Sequence, residues 1–180
     1  MSTDCYDRIA AANVLCVGLG SSHGDDQFGW RVADELQEFA RQRPEVDVRP
    51  AGTPIDLLHW TEGVEVLYLC DVIAGSGPLG DVHRFESETK DGDCRATLPE
   101  LQRLRVGGTH QVGLPGVLDL AATLGRLPQR LIVYGVIGRE FSPGRALSAE
   151  LEPVVSQVAT AIRNEIDARA VPGAVAARSG

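Results

Sequence analysis

Apolar positions along the chain fall into two recurring patterns, short continuous runs and helically spaced sets. Val14 to Val17 is an apolar run with the character of a buried strand. Phe28, Val32, Leu36 and Phe39 then line one face of a helix spanning residues 26–42. Val46 to Pro50 alternates apolar and polar residues, a short strand with one polar face. Ile55, Leu57, Leu58 and Trp60 predict a helix over 54–62, with Pro54 at its first position. Val64 to Ile73 is almost wholly apolar, as a central parallel strand should be. Residues 80–86 read as an added strand whose faces Val82, Arg84 and Phe85 do not settle, and the polar stretch 87–97 reads as exposed loop. Leu98, Leu101 and Leu104 suggest a short helix. Leu114, Val117, Leu118, Ala121 and Ala122 form the face of another, which Gly125 should stop. Arg130 to Gly138 is the last strand, and Leu151, Val154, Val155, Val158 and Ile162 mark a long final helix capped by Ser148.

Strands that alternate with helices imply an α/β fold with a mostly parallel sheet and helices on both faces. The expected organisation is a loose lead-in over 1–12, a single domain over 13–167 and a disordered tail over 168–180. Composition narrows the partners. The chain has 180 residues, 43% of them hydrophobic, enough for an ordinary core, and a net charge of −8. That charge disfavours nucleic acid and anionic membrane surfaces. No apolar run approaches the ~20 residues of a membrane span. Met1 to Asp7 has neither the basic region nor the apolar core of a secretory signal. Cys5, Cys16, Cys70 and Cys94 show no paired spacing, and two of them fall within buried strands. Free thiols and a reducing cytoplasm are therefore expected.

In a sheet of this kind ligands bind beyond the carboxyl ends of the strands. Three junctions there carry chemistry: Asp25 and Asp26 after the first strand, Asp71 at the end of the apolar third strand, and His110 before a helix. Each has an ordinary explanation taken singly. Asp25 or Asp26 would cap the following helix, which leaves the other free, Asp71 would bond its own turn and His110 its own loop. Together, two carboxylates and an imidazole at one sheet edge suit a first-row divalent metal: nickel, zinc, iron or copper. His23 is either a fourth ligand or an exposed loop residue, the second being favoured, while His59 and His83 are structural or solvated. The Gly18-Leu-Gly20 turn lacks the third glycine of a dinucleotide fingerprint, since His23 stands there. Ser21 and Ser22 lack the spacing of a nucleophile elbow.

Gly18-Leu-Gly-Ser-Ser-His-Gly-Asp-Asp-Gln-Phe-Gly29 resembles the opening motif of the hydrogenase maturation proteases. Leu69-Cys-Asp71 with Gly77-Pro-Leu-Gly80 resembles their second motif, and Thr109-His110-Gln-Val-Gly their third. Tyr134-Gly-Val-Ile-Gly and Leu147-Ser-Ala-Glu-Leu resemble their closing strand and helix. The similarity runs in order over residues 13–166. It implies a three-layer α/β/α sandwich around a mostly parallel sheet of about five strands. It also implies an aspartic-type endopeptidase that removes the C-terminal extension of a nickel–iron hydrogenase large-subunit precursor after nickel insertion. Asp26, Asp71 and His110 fall at the family's metal-contacting positions, the Ni²⁺ being presented by the substrate. Asp25 is left as a candidate to orient or deprotonate water, which makes Asp25 and Asp26 the catalytic pair. Ser21 replaces the family's usual asparagine and Gln27 the glycine after the acidic pair. Two other readings fit the same residues: a metal-dependent hydrolase of another substrate, and a non-catalytic relative that checks metal loading.

Overall fold

The computed structural model describes residues 13–88 and 113–170. Its strands are β1 (Val14–Leu19), β2 (Val46–Ala51), β3 (Val66–Ala74), β4 (Val82–Glu88) and β5 (Arg130–Gly138). Its helices are α1 (Phe28–Arg41), the single turn α2 (Leu57–Trp60), α3 (Leu114–Thr123) and α4 (Glu152–Ala170). The strands form one sheet in the order β2-β1-β3-β5-β4, parallel throughout except for β4, which runs antiparallel to β5.

The two-residue period of the strands divides the core into two layers. Cys16, Tyr68, Cys70, Val72, Ile132 and Tyr134 point to one side, where they pack on Phe28, Val32 and Leu36 of α1 and Val155, Val158 and Ile162 of α4. Leu15, Val17, Leu67, Leu69, Leu131 and Val133 point to the other and meet Leu57 of α2 and Leu114, Val117 and Leu118 of α3. This is the expected three-layer sandwich. Cys16 and Cys70 are buried free thiols, as strand residues of this kind should be. No helix among the described residues is long and apolar enough to cross a membrane.

Four local expectations change. The helix at 54–62 is a 3-10 turn, Pro54–Asp56, followed by the one turn of α2, and Gly63 in the left-handed region ends it. The added strand extends to Glu88, so the first residues of the expected 87–97 loop belong to the sheet edge. Its even positions carry Arg84 and Glu86, which pair with Glu165 of α4 and Arg130 of β5; an edge held by charge shows no hydrophobic alternation. The final helix starts at Glu152, four residues after Ser148, and continues through Ala170 into the region expected as tail. The first helix begins with a 3-10 turn, Gly24–Gln27, and neither that turn nor α1 has a side-chain cap, which overturns the capping role expected of Asp25 or Asp26. The 1–12 lead-in, the short helix around Leu98–Leu104, His110 and the remainder of the tail lie outside the described residues.

Candidate active site

From β1 the chain passes through α1 to β2 on one side. From β2 it crosses back through α2 to β3, on the other side of β1. The strand order therefore reverses between β1 and β3, and the crevice beyond their carboxyl ends is where an open α/β sheet binds its ligand. β1 ends at Leu19, and its last pairing with β3 is Gly18 with Cys70. Asp71 is the next residue of β3, the first to run past β1, and it still pairs with Gly135 of β5.

Asp71 is 5% exposed. Its Oδ1 accepts one hydrogen bond, 2.8 Å from the N–H of Val72. Burial, reinforced by the negative charge of Asp26, pushes its carboxyl up to about 8, against the one donor found among the described residues. Strand parity places Asp71 on the side of Leu67 and Leu69, the layer that α3 covers. α3 begins at Leu114, four residues after His110.

Asp26 comes to this edge on the loop after β1. Gly20, at φ 154°, lets the loop fold onto the 3-10 turn: a Cβ there would lie 1.9 Å from the carbonyl oxygen of Asp26, which instead accepts the Ser21 N–H at 3.1 Å. The Asp26 side chain is partly buried and has no hydrogen-bond partner among the described residues.

Asp25 points elsewhere. It is fully buried, and its Oδ2 accepts the N–H groups of Arg139 at 2.8 Å and Glu140 at 2.9 Å. Oδ1 accepts the N–H of Ser148 at 2.9 Å, and the Ser148 hydroxyl bonds the same carboxylate. Burial alone would raise its pKa, but these donors outweigh it and hold the carboxyl below the usual range. A carboxylate with both oxygens engaged and no exposed surface is a poor acceptor for a proton from water. The structure thus separates the pair read as catalytic: the charge of Asp26 is felt at Asp71, while Asp25 is bonded to the segment between β5 and α4.

The other candidates sort cleanly. His110 lies outside the described residues, and among those described no three His, Cys, Asp or Glu side chains are grouped to hold a metal ion. His23 and His59 are exposed, and His83 sits 3.3 Å from Asp81 on the edge strand. Ser22 is exposed and Ser21 only partly covered. Gln27 spans two loops, its Nε2 donating to the carbonyls of Gly24 at 3.1 Å and Arg145 at 3.0 Å. Gly138, Arg139, Glu140 and Ser148 escape a reading of local pattern. Their signals are the glycine that ends β5 and the Pro143-Gly144 turn ahead of the final helix.

A family model described as HycI, hydrogenase maturation protease, matches residues 30–166. The hydrogenase expression/formation protein HoxM of Azotobacter vinelandii is 30% identical over 175 residues, spanning 94% of this chain and 78% of its own. The HoxM protein of Cupriavidus necator is 27% identical over 157 residues, 83% of this chain and 74% of its own. Among solved structures, the hydrogenase 2 maturation peptidase from Thaumarchaeota archaeon SCGC_AB-539-E09 superposes with a TM-score of 0.61 at 28% identity. That alignment covers 86% of this chain and 97% of the other. The [NiFe] hydrogenase maturation protease HybD from Thermococcus kodakarensis shares the fold with a TM-score of 0.64 at 24% identity, over 86% and 98% of the two chains.

Proposed function

The chain belongs to the hydrogenase maturation protease family, the endopeptidases of hydrogenase assembly, and from that premise we propose its substrate, its metal and the residues that act. The substrate is the precursor of a nickel–iron hydrogenase large subunit, carrying nickel already inserted, and the product is the same subunit without its C-terminal extension. Asp26, Asp71 and His110 hold the substrate's Ni²⁺.

The observation that carries this reading is the Asp26–Asp71 pair. Two carboxylates share the crevice at the strand-order reversal, one of them buried and raised to about 8 by burial and by the charge of the other. Such a pair is electrostatically incomplete, and a divalent cation completes it by stabilising both ionised forms. Carboxylate and imidazole donors fit nickel. A metal that arrives with the substrate needs only part of its coordination from the enzyme. It anchors the scissile segment at the crevice and supplies Lewis-acid polarisation of the peptide carbonyl or of water. A precursor without nickel would lack that anchor, which makes cleavage a report on metal loading. We place the reaction in the cytoplasm, with support from the free buried thiols Cys16 and Cys70.

The test follows the intact mass of a cognate large-subunit precursor, prepared with and without nickel and mixed with the protein. Loss of a C-terminal peptide from the nickel-loaded form alone is expected, with no loss when His110→Ala or Asp26→Ala replaces the parent. Equal cleavage of both forms would remove nickel from the reading. Cleavage of neither form by a folded, cognate protein would overturn the substrate assignment.

A further inference from the structure

Asp25 and the segment 138–148 form an arrangement that the proposed chemistry does not use. The segment links β5 to α4 and lies against the loop that carries Asp26. Its contacts with that loop are dense, and the segment makes them almost wholly with its own backbone groups. The Asp25 carboxylate takes the N–H groups of Arg139, Glu140 and Ser148. The Asp25 N–H donates to the carbonyl of Glu140 at 2.6 Å, and the Gly24 N–H to that of Arg145 at 3.0 Å. The Gln27 amide reaches the Arg145 carbonyl as well. Cβ atoms built on Gly24 and Gly138 would stand 2.2 Å from the Glu140 carbonyl oxygen and 2.9 Å from the Asp25 Cβ, so the two chains touch where only glycine fits. From the other side the Arg139 guanidinium donates to the carbonyl of Gly77 at 2.9 Å, in the loop after β3. The segment is therefore bonded both to the loop before α1, which carries Asp26, and to the loop that follows the strand of Asp71.

We infer that Asp25 is a positioning residue, the buried anchor through which segment 138–148 holds Asp26 in place opposite Asp71, and not the base that activates water. The inference rests on the assignment of Asp26 and Asp71 to the site. Three backbone N–H groups and a hydroxyl converge on Asp25, and only an acceptor with two oxygens satisfies them all. Asparagine offers one oxygen and turns an N–H₂ toward a donor, which loosens the segment without opening a cavity. Asp26 is the next residue in the chain, so a shift at Asp25 is passed directly to it.

The experiment compares the parent with Asp25→Asn and with the milder Ser148→Ala and Ser148→Thr. Cleavage of the nickel-loaded precursor should fall by roughly 10- to 100-fold in Asp25→Asn, the range for groups that orient metal ligands. The loss should lie in kcat, and the pH–rate profile should keep the parent's shape at lower amplitude. Ser148→Ala should show a smaller loss of the same form, and Ser148→Thr, which keeps the hydroxyl, should recover it. Loss of one limb of the profile in Asp25→Asn alone would make Asp25 a base and overturn the inference, as would parental rates in both Asp25→Asn and Ser148→Ala. Hydrogen exchange gives a readout that does not need cleavage. In Asp25→Asn the amides of Arg139, Glu140 and Ser148 should exchange at least ~10-fold faster, together with those of Ser21 and Asp26, while β1 stays protected. Faster exchange confined to residues 139–148, or none, overturns the positioning role. A parent that cleaves no precursor but shows the full exchange pattern refutes the substrate and leaves the anchor standing.

Discussion

Asp71→Asn is expected to cripple cleavage and stabilise the fold in the same protein. Lewis-acid polarisation is worth several kcal/mol, so under the proposed role of Asp71 as a ligand of the substrate's metal its loss should reduce kcat/KM by about 1,000-fold. Stability should move the other way. Asp71 is 5% exposed and its carboxyl is raised to about 8, whereas an unfolded chain ionises it near ~3.9. Between those values the native protein holds a proton that the unfolded chain has released. The native state binds more protons, so stability falls as pH rises. The loss begins near the unfolded value and is complete by about pH 8. Asparagine has nothing to ionise, and its side-chain oxygen can still accept the Val72 N–H that Asp71 accepts now. The advantage of Asp71→Asn should therefore be close to nil at pH 4 and grow to a few kcal/mol near pH 8, roughly 5–10 °C in Tm. Thermal unfolding of the two proteins across that range reads the difference. A constant offset between pH 4 and 8 would show that Asp71 titrates as an ordinary carboxyl. A site that lowers the stability of its own fold is the usual cost of holding charge where a ligand needs it.

What the sequence reveals depends on how far apart the interacting residues lie. The period-2 and period-3.6 patterns are local, and β1, β5, α1 and α3 follow them closely: Phe28, Val32 and Leu36 are buried as their spacing requires, and Gly125 ends α3 in the left-handed region. Asp71 stands out because a carboxylate interrupts an apolar strand, and Asp26 because it follows a glycine-rich turn. The role of Asp25 has no local signature. Its partners are 114, 115 and 123 residues away, and all three of those donors are backbone N–H groups that almost any residue type would supply. Ser148 shows the same limit. A serine ahead of a helical pattern is the signal of an N-cap, and nothing nearby in the chain reveals that its N–H and hydroxyl go instead to a carboxylate across the molecule. β4 is obscured for a different reason: Val82 and Phe85 pack on opposite core layers, and Arg84 and Glu86, held to Glu165 and Arg130, break any apolar alternation.

Gly29→Ala is the substitution expected to damage the fold most for its size. Gly29 is the second residue of α1 and lies against the backbone of two strands. A Cβ there would stand 2.1 Å from the carbonyl oxygen of Leu19 and 2.6 Å from that of Cys70. Gly18 mirrors it from the sheet, where a Cβ would meet the Gly29 carbonyl oxygen at 1.9 Å. Neither partner can withdraw. β1 is hydrogen-bonded to β2 on one edge and β3 on the other, and α1 is held down by Phe28 and Val32, both fully buried. Overpacking against side chains costs about 1–3 kcal/mol because they can change rotamer. Against backbone fixed on both sides the cost should reach ~4 kcal/mol or more, a fall in Tm of about 8–16 °C for a chain of this size. Gly125→Ala is the control, because its Cβ meets open space and it bears only the left-handed backbone, at about 1–2 kcal/mol. Equal midpoints for the two variants in urea would refute the close approach of α1 to the sheet. That approach also governs the site. The turn that carries Asp26 runs directly into α1, and Asp71 follows Cys70, so the close approach of helix and strands at Gly18 and Gly29 sets how near the Asp26 turn lies to the end of β3.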